Sequence, residues 1–347
     1  MSPQEAATTS SNRRSRAVWA IAVAAVALAV VVALAGIRWP FGTAAPVEEV
    51  SLALSSTPHA ALLHIADAKG FFAEEGLAAT VVPVSHGKAA LDLLAQGKVD
   101  LAAAAEVPFV ISVLQGEPFG IAASMLGVST EMAIVARRDR GIAAPADLVG
   151  KRVGVPLGTS GEYFLWAFLI RHKLAPDSVT LVNLPPGQIV QALAEGMIDA
   201  ASTWQPIRLE AEAALGDKAA TFIAPAAYTV THVVVGRTQY LSEHAGVLQK
   251  LMRALLKAER FNRDEPEQAI AVVAQRLKLD VAALRPGWQE LDFRVNLLQS
   301  HLVTLEDQAR WAMARGHAER KAVPNFLPHL YLDALLAEQP DRVTVVR

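Results

Sequence analysis

Four short stretches hold the side chains best placed for chemistry. Thr159-Ser160-Gly161-Glu162 sets two hydroxyls ahead of a helical pattern. Thr159 and Glu162 have the spacing of a capping box, in which a hydroxyl and a carboxylate satisfy orphan N–H groups at a helix start. A hydroxyl left over from capping, with free N–H groups and the positive end of the helix dipole, suits an anionic headgroup. Gly158, Thr159, Ser160 and Gly161 are therefore candidates. Trp204 and Gln205 precede Pro206. The indole either packs in the core or walls a cleft, and Gln205 offers both a donor and an acceptor. Glu106 follows the Ala-rich run 101–105, where an unpaired carboxylate is costly to bury. It would hold an ammonium or amidine-like group, or pair with an arginine. Thr57-Pro58-His59 reads as an N-cap with proline at the first helical position. His59 is not expected to bind a metal, because no second histidine or carboxylate lies at useful spacing. The other histidines read as surface or structural.

Composition removes several functions. The 347 residues include no cysteine, which excludes a disulfide scaffold, a thiolate zinc site and a Cys nucleophile. No Ser-His-Asp order or paired carboxylates emerge, and no GxxxxGK[ST] loop occurs. The expectation is a protein without covalent chemistry, cofactor or ATPase of its own. With 34 acidic against 32 basic side chains, there is no basic stripe for nucleic acid.

The first 48 residues read as a membrane signal. Ala17 to Ile37 is uncharged and follows Arg13, Arg14 and Arg16. As a helix of ~1.5 Å rise per residue it would match the ~30 Å hydrocarbon core. The arginines place residues 1–16 in the cytoplasm and the folded part outside. The expectation is a retained transmembrane anchor at 17–37 and a linker at 38–48. The alternative is removal at Ala33-Leu34-Ala35 as a signal peptide. Both export the folded part, to the outer face of the membrane if anchored, or as a secreted protein if cleaved.

From Val50 onward, short β-branched runs alternate with Ala/Leu-rich helical stretches, the pattern of βαβ units. Strands are predicted at 50–54, 80–84 and 99–103, with helices at 59–72 and 88–96. The same order recurs about 100 residues later, with strands at 152–157, 180–184 and 198–202 and helices at 162–173 and 189–195. Thr80, Val82, Gly87 and Leu93 fall opposite Thr180, Val182, Gly187 and Leu193. Gln96-Gly97-Lys98-Val99-Asp100 falls opposite Glu195-Gly196-Met197-Ile198-Asp199. The glycines suit left-handed helix C-caps. Two similar α/β lobes follow, and ligands of open α/β sheets bind outside the carboxyl ends of the strands. That rule nominates Ser85 after the second strand, and again 157–161, Glu106 and Trp204. Further on, 247–261 carries an apolar stripe at Leu248, Leu251, Leu255 and Ala258, so it packs on a lobe. Trp288 and Trp311 are expected in the core or an interface.

Several motifs in order carry a family likeness. They are Thr57-Pro58-His59, Ala68-Lys69-Gly70-Phe71-Phe72-Ala73-Glu74-Glu75-Gly76-Leu77 and Gly97-Lys98-Val99-Asp100. Asp147-Leu148-Val149-Gly150-Lys151-Arg152-Val153-Gly154-Val155 with Gly158-Thr159-Ser160-Gly161 follows, then Gly196-Met197-Ile198-Asp199-Ala200-Ala201 and Trp204-Gln205-Pro206. Together, over residues 50–300, the chain resembles the periplasmic substrate-binding proteins of ABC importers, in the nitrate/sulfonate/taurine and thiamine-precursor-like (NMT1/THI5-like) group. The resemblance implies an α/β, type II periplasmic-binding-protein fold with a ligand cleft between two lobes. Lobe 1 would be 49–136 with 226–347, and lobe 2 would be 137–225. It implies capture of a small anionic or zwitterionic solute at the periplasmic face of the inner membrane and delivery to a permease and its ATPase. It also turns Thr57 and His59 toward the cleft, and sets Thr130 and Tyr228 where the chain crosses between lobes. Two rival functions are an enzyme like the thiamine-pyrimidine synthases of this fold and a membrane-anchored sensor. The first normally carries a cysteine-rich motif, absent here, and the second would have only a 16-residue cytoplasmic tail.

Overall fold

The computed structural model describes Trp19 and residues 47–225 and 227–346. The expected anchor at 17–37 lies outside these residues apart from Trp19. Among the described residues, no helix is long and apolar enough to cross a membrane.

The first lobe opens with β1 (Glu48–Ser55), α1 (Ala61–Ala68), β2 (Leu77–Val84), α2 (Gly87–Ala95), β3 (Leu101–Ala105), α3 (Glu106–Leu114) and β4 (Phe119–Val128). The chain then crosses to β5 (Ala133–Arg137), β6 (Arg152–Val155), α4 (Ser160–Arg171), β7 (Thr180–Asn183), α5 (Ile189–Ala194), β8 (Ala200–Thr203), α6 (Ile207–Leu215) and β9 (Ala219–Ile223). It returns as β10 (Val230–Arg237), followed by α7 (Ala245–Asp264), α8 (Pro266–Leu277), α9 (Val281–Trp288) and α10 (Gln299–Ala314). Two five-stranded sheets result, ordered β2-β1-β3-β10-β4 and β7-β6-β8-β5-β9. Three strands of each sheet are parallel, as βαβ crossovers require. Each sheet gains one antiparallel strand from a crossing, β10 in the first and β5 in the second.

The two sheets have the same order, so the repeat read from the sequence is a repeat of topology. Its recurring aspartates, Asp100 and Asp199, are structural. Asp100 Oδ2 accepts from Ser51 N (2.8 Å) and Ser51 Oγ (2.6 Å), and Asp199 Oδ2 accepts from Arg152 N (2.9 Å). Each carboxylate, one residue ahead of a short inner strand, thus ties that strand to its parallel neighbour. Gly97 and Gly196 take φ of +68° and +74°, the left-handed C-cap. A further match joins Arg237 and Arg137, each ending the antiparallel strand of its sheet. Arg237 Nη1 donates to Leu94 O (2.9 Å) and Arg137 Nη1 to Leu193 O (2.6 Å), capping the carbonyl end of α2 and α5.

Three expectations change. The helix predicted over 59–72 is broken, because Gly70 adopts φ +75° and a separate turn begins at Phe71. The chain leaves the first sheet at Val128 and joins the second at Ala133, so β5 belongs with lobe 2 rather than lobe 1. The helix predicted over 247–261 is the longer α7, whose Leu248, Leu251, Leu255 and Ala258 are all buried against α1 and its neighbours. Trp288 and Trp311 are buried as expected.

Candidate functional site

A cleft with about 570 Å³ of space free of protein atoms, open solvent included, lies at the strand ends of both sheets. The first lobe contributes Ser55, Thr57 and His59 after β1, His86, Gly87 and Lys88 at the start of α2, Ala103 and Ala105 of β3, and His232 of β10. The second contributes Thr159, Ser160 and Trp204, and the crossing segment adds Glu131 and Met132. Gly87 is required by close packing, since a Cβ there would lie 2.7 Å from the Ala104 Cα.

The start of α4 divides its work between two hydroxyls. Thr159 Oγ1 donates to Pro156 O (2.7 Å) and accepts from Gly161 N (3.2 Å), so Thr159 is the cap. Glu162 reaches past the cap residue to accept from Gly158 N (2.7 Å), and its other oxygen is 3.0 Å from His317 Nε2. The expected capping box is therefore displaced by one residue. Gly158 has φ +73°, the left-handed turn that aims the following hydroxyls inward. Gly161 is packed from two sides, since a Cβ would meet Ser202 O and the Trp204 ring at 3.3 Å each. Ser160 borders the cleft directly.

Behind Ser160 lies a buried polar chain. Tyr228 donates to Glu106 Oε1 (2.7 Å), and its oxygen is 3.3 Å from Ser160 Oγ. Having one hydrogen, the phenol accepts from Ser160 while donating to Glu106. Glu106 Oε1 also accepts from Gln308 Nε2 (3.0 Å) and Oε2 from Thr231 N (2.9 Å). Glu106 is only 2% exposed. Burial raises its carboxyl to about 7, against the opposing pull of these hydrogen bonds. Burial and the neighbouring Glu106 carboxylate push the Tyr228 hydroxyl well above its ordinary range. Gln308 Oε1 has no partner among the described residues; an amide half-turn would let it accept a hydrogen bond from the protonated Glu106 carboxyl.

The histidine wall was not foreseen. His59 Nδ1 is 2.9 Å from Thr57 Oγ1, which is 2.8 Å from Ser55 Oγ. His59 Nε2 meets Glu131 Oε2 in a short contact, and the His59 and His232 rings stack at 4.4 Å and 5°. Burial would raise the Glu131 carboxyl, but the charge of His59 and interactions with both imidazoles outweigh it and bring it to about 2. Burial and the nearby His59 lower His232 to about 4. A second cavity, of about 780 Å³ with open solvent included, also borders His59 and Glu131. It is bounded by His59, Glu131, Gln205, Arg208, Leu284, Trp288 and Leu291 among others.

Of the candidates, Thr57, His59, Thr159, Ser160 and Trp204 come together around the first cleft. Glu106 and Tyr228 stand behind it, and Glu106 neither lines it nor pairs with an arginine, its charge being met by three neutral donors. Ser85 is exposed and bonded to His86 (2.8 Å). Thr130 clamps the crossing, donating to Glu290 Oε2 (2.5 Å) and accepting at its carbonyl from Arg208 (2.8 Å). Gln205, with its oxygen toward Arg208 Nη2 (2.8 Å), borders the second cavity. Gly158 and Gly161 shape the turn. His59 does have carboxylate and histidine neighbours, contrary to expectation. They escape a local spacing rule because Glu131 is 72 residues away and His232 arrives on the returning strand. The available signal for His232 was a histidine interrupting the β-branched run 230–235.

Comparison with known proteins agrees with this architecture. A protein of Brucella abortus (strain 2308) is 27% identical over 223 residues, 63% of this chain and 68% of that protein. The taurine-binding periplasmic protein of Escherichia coli (strain K12) is 32% identical over 145 residues, 41% of this chain and 44% of its own. The periplasmic aliphatic sulphonate binding protein SsuA from Escherichia coli shares the fold, with a TM-score of 0.71 at 16% identity, covering 83% of this chain and 98% of that one. The family model described as NMT1/THI5 like matches residues 57–269, well over half of the sequence, and the chain belongs to that family.

Proposed function

We propose that this protein is the extracytoplasmic solute-binding component of an ABC importer, capturing a small anionic or zwitterionic organic solute of the sulfonate, taurine or nitrate kind. The observation that carries this reading is the pairing, across one cleft, of the α4 start at Ser160 with Lys88 and the His59 wall. The dipole end of α4 favours negative charge, and Lys88, which also pairs with Asp92 (3.2 Å), adds a cation. Closure of the lobes over such a headgroup needs a solute that binds the closed state better than the open one. Delivery to a permease and its ATPase follows from that role, with no turnover of the solute. The taurine-binding relative supports the choice of ligand class.

The uncharged run from Ala17 to Ile37 supports a retained helix that tethers the protein to the inner membrane. A tether raises the local concentration near a permease. Mass spectrometry of the exported protein should find a mature chain beginning before Ala17; a start near Gly36 would mean cleavage.

A thermal-shift screen of small sulfonates, amino-sulfonates, nitrate and carboxylates tests the main reading. A ligand at ~100 times its Kd adds ~2.7 kcal/mol of stability. A panel that never moves the melting temperature would remove the support for solute capture, and conversion of a panel member would favour an enzyme.

A further inference from the structure

We propose that His59, Glu131 and His232 form a binding site for a divalent transition cation of the zinc class, opening into the interlobe cleft. One ligand atom from each of the three residues lies within 4.8 Å of the others. Two imidazoles and one carboxylate are a donor set that suits zinc and its neighbours. All three side chains border the cleft, so a fourth position faces the space where water or a solute oxygen would sit.

Two observations point to a cation rather than to packing alone. His59 is held from behind, its Nδ1 on Thr57 Oγ1 (2.9 Å) and Thr57 on Ser55 Oγ (2.8 Å). Metal-bound histidines are fixed by this kind of outer contact at the second ring nitrogen. It leaves Nε2 aimed at Glu131 Oε2, where two electron-pair donors need a proton or a cation between them. The second observation is His232 Nε2, buried and without a hydrogen-bond partner among the described residues. It lies 3.8 Å from Glu131 Oε1, too far for a hydrogen bond. Two donors each ~2.0–2.1 Å from a tetrahedral ion stand about 3.4 Å apart, so the spacing is close to that of shared ligands.

The stacked rings show what must move. Parallel planes do not let both Nε2 lone pairs meet one ion, so His232 has to turn about its Cβ–Cγ bond. No side-chain hydrogen bond of the described residues restrains it. His59 keeps its orientation, and Glu131 retreats slightly to ligand distance. His59 and His232 belong to the first lobe and Glu131 to the crossing segment, so the ion would fasten the crossing to one lobe.

The test uses the full chain in detergent, without a polyhistidine tag, stripped of metal by chelator and titrated with Co²⁺ and Zn²⁺ in the absence of organic solute. The expected result is one ion per chain by calorimetry, with visible Co²⁺ bands of a low-coordinate site. His232→Ala and Glu131→Gln should weaken binding by at least ~100-fold, beyond the ~10–100-fold expected of Thr57→Val, which removes only the outer contact. Thr57→Val keeps the test open should either ligand variant fail to fold. Absence of stoichiometric binding and of visible bands in the wild type would show an ordinary ion pair and overturn the proposal. Equal binding by wild type and all folded variants would overturn it too, placing the ion elsewhere. Because no solute is present, neither result depends on whether the protein captures one.

Discussion

Replacing Glu106 by glutamine should flatten the pH dependence of stability between pH 4.5 and 7. Burial raises the folded carboxyl from 4.5 to about 7, in spite of the hydrogen bonds from Tyr228, Gln308 and Thr231 N. In the unfolded chain the same group returns to its ordinary value. Below pH 4.5 both states hold the proton, and the stability contributed by the neutral, hydrogen-bonded carboxyl is fully present. As pH rises through 7, the folded state must carry the charge in a buried site and that contribution is lost. The gap between 4.5 and about 7, at ~1.36 kcal/mol per pH unit, amounts to ~3 kcal/mol. The glutamine variant carries a constant cost of about 1–3 kcal/mol, because its amide N–H₂ faces the Thr231 N–H and leaves a donor unmet. That offset does not vary with pH, so the wild-type curve should lie above the variant's in acid and fall to it or below it by pH 8. Urea unfolding at half-unit steps from pH 4.5 to 8 measures the difference, in which other titrating groups largely cancel. Parallel curves would refute the account of Glu106 as a carboxyl forced toward neutrality by burial.

Further perturbations separate structure from binding. Tyr228→Phe removes a donor from Glu106 and an acceptor from Ser160, and should cost about 1–2 kcal/mol above pH 7 by denaturant unfolding, less in acid where the charge is absent. Gly87→Ala drives a Cβ to 2.7 Å from the Ala104 backbone and should destabilise by about 1–3 kcal/mol as an overpacked site, read as a lower urea midpoint. Thr159→Ala, which removes the α4 cap, should lose about 0.5–2 kcal/mol of stability.

Much of this fold is legible in the sequence because βαβ units announce themselves twice. The coincidence of Gly97-Lys98-Val99-Asp100 with Gly196-Met197-Ile198-Asp199 marks a backbone requirement, a left-handed cap followed by a carboxylate that holds the next strand. Arg137 and Arg237 belong to the same pattern, yet sit on strands whose antiparallel placement depends on the crossing, which local periodicity does not reveal. For the same reason residues 133–136 read as part of lobe 1 in the sequence, whereas β5 pairs within the second sheet. Within the site, the cap-and-hydroxyl start of α4 is a local feature and is readable. The wall of His59, Glu131 and His232 is assembled from three distant segments, and no spacing rule reaches across them. Glu106 was recognisable as an anomaly, but its partners Tyr228, Thr231 and Gln308 come from the return crossing and the C-terminal helices. A carboxylate at a strand end reads as a ligand group, but its two oxygens are occupied by Tyr228, Gln308 and Thr231 N.

Solute capture at the start of α4 is tested most directly by calorimetric titration of the full chain with taurine, a short alkanesulfonate and nitrate, in the wild type and in Ser160→Ala. The account predicts saturable binding of one molecule per chain by at least one of these anions. It predicts weakening in Ser160→Ala by about 0.5–1.5 kcal/mol for a neutral hydrogen bond, and more where the hydroxyl meets a charged oxygen. No binding by any of the three, or equal affinity in wild type and Ser160→Ala, would contradict it.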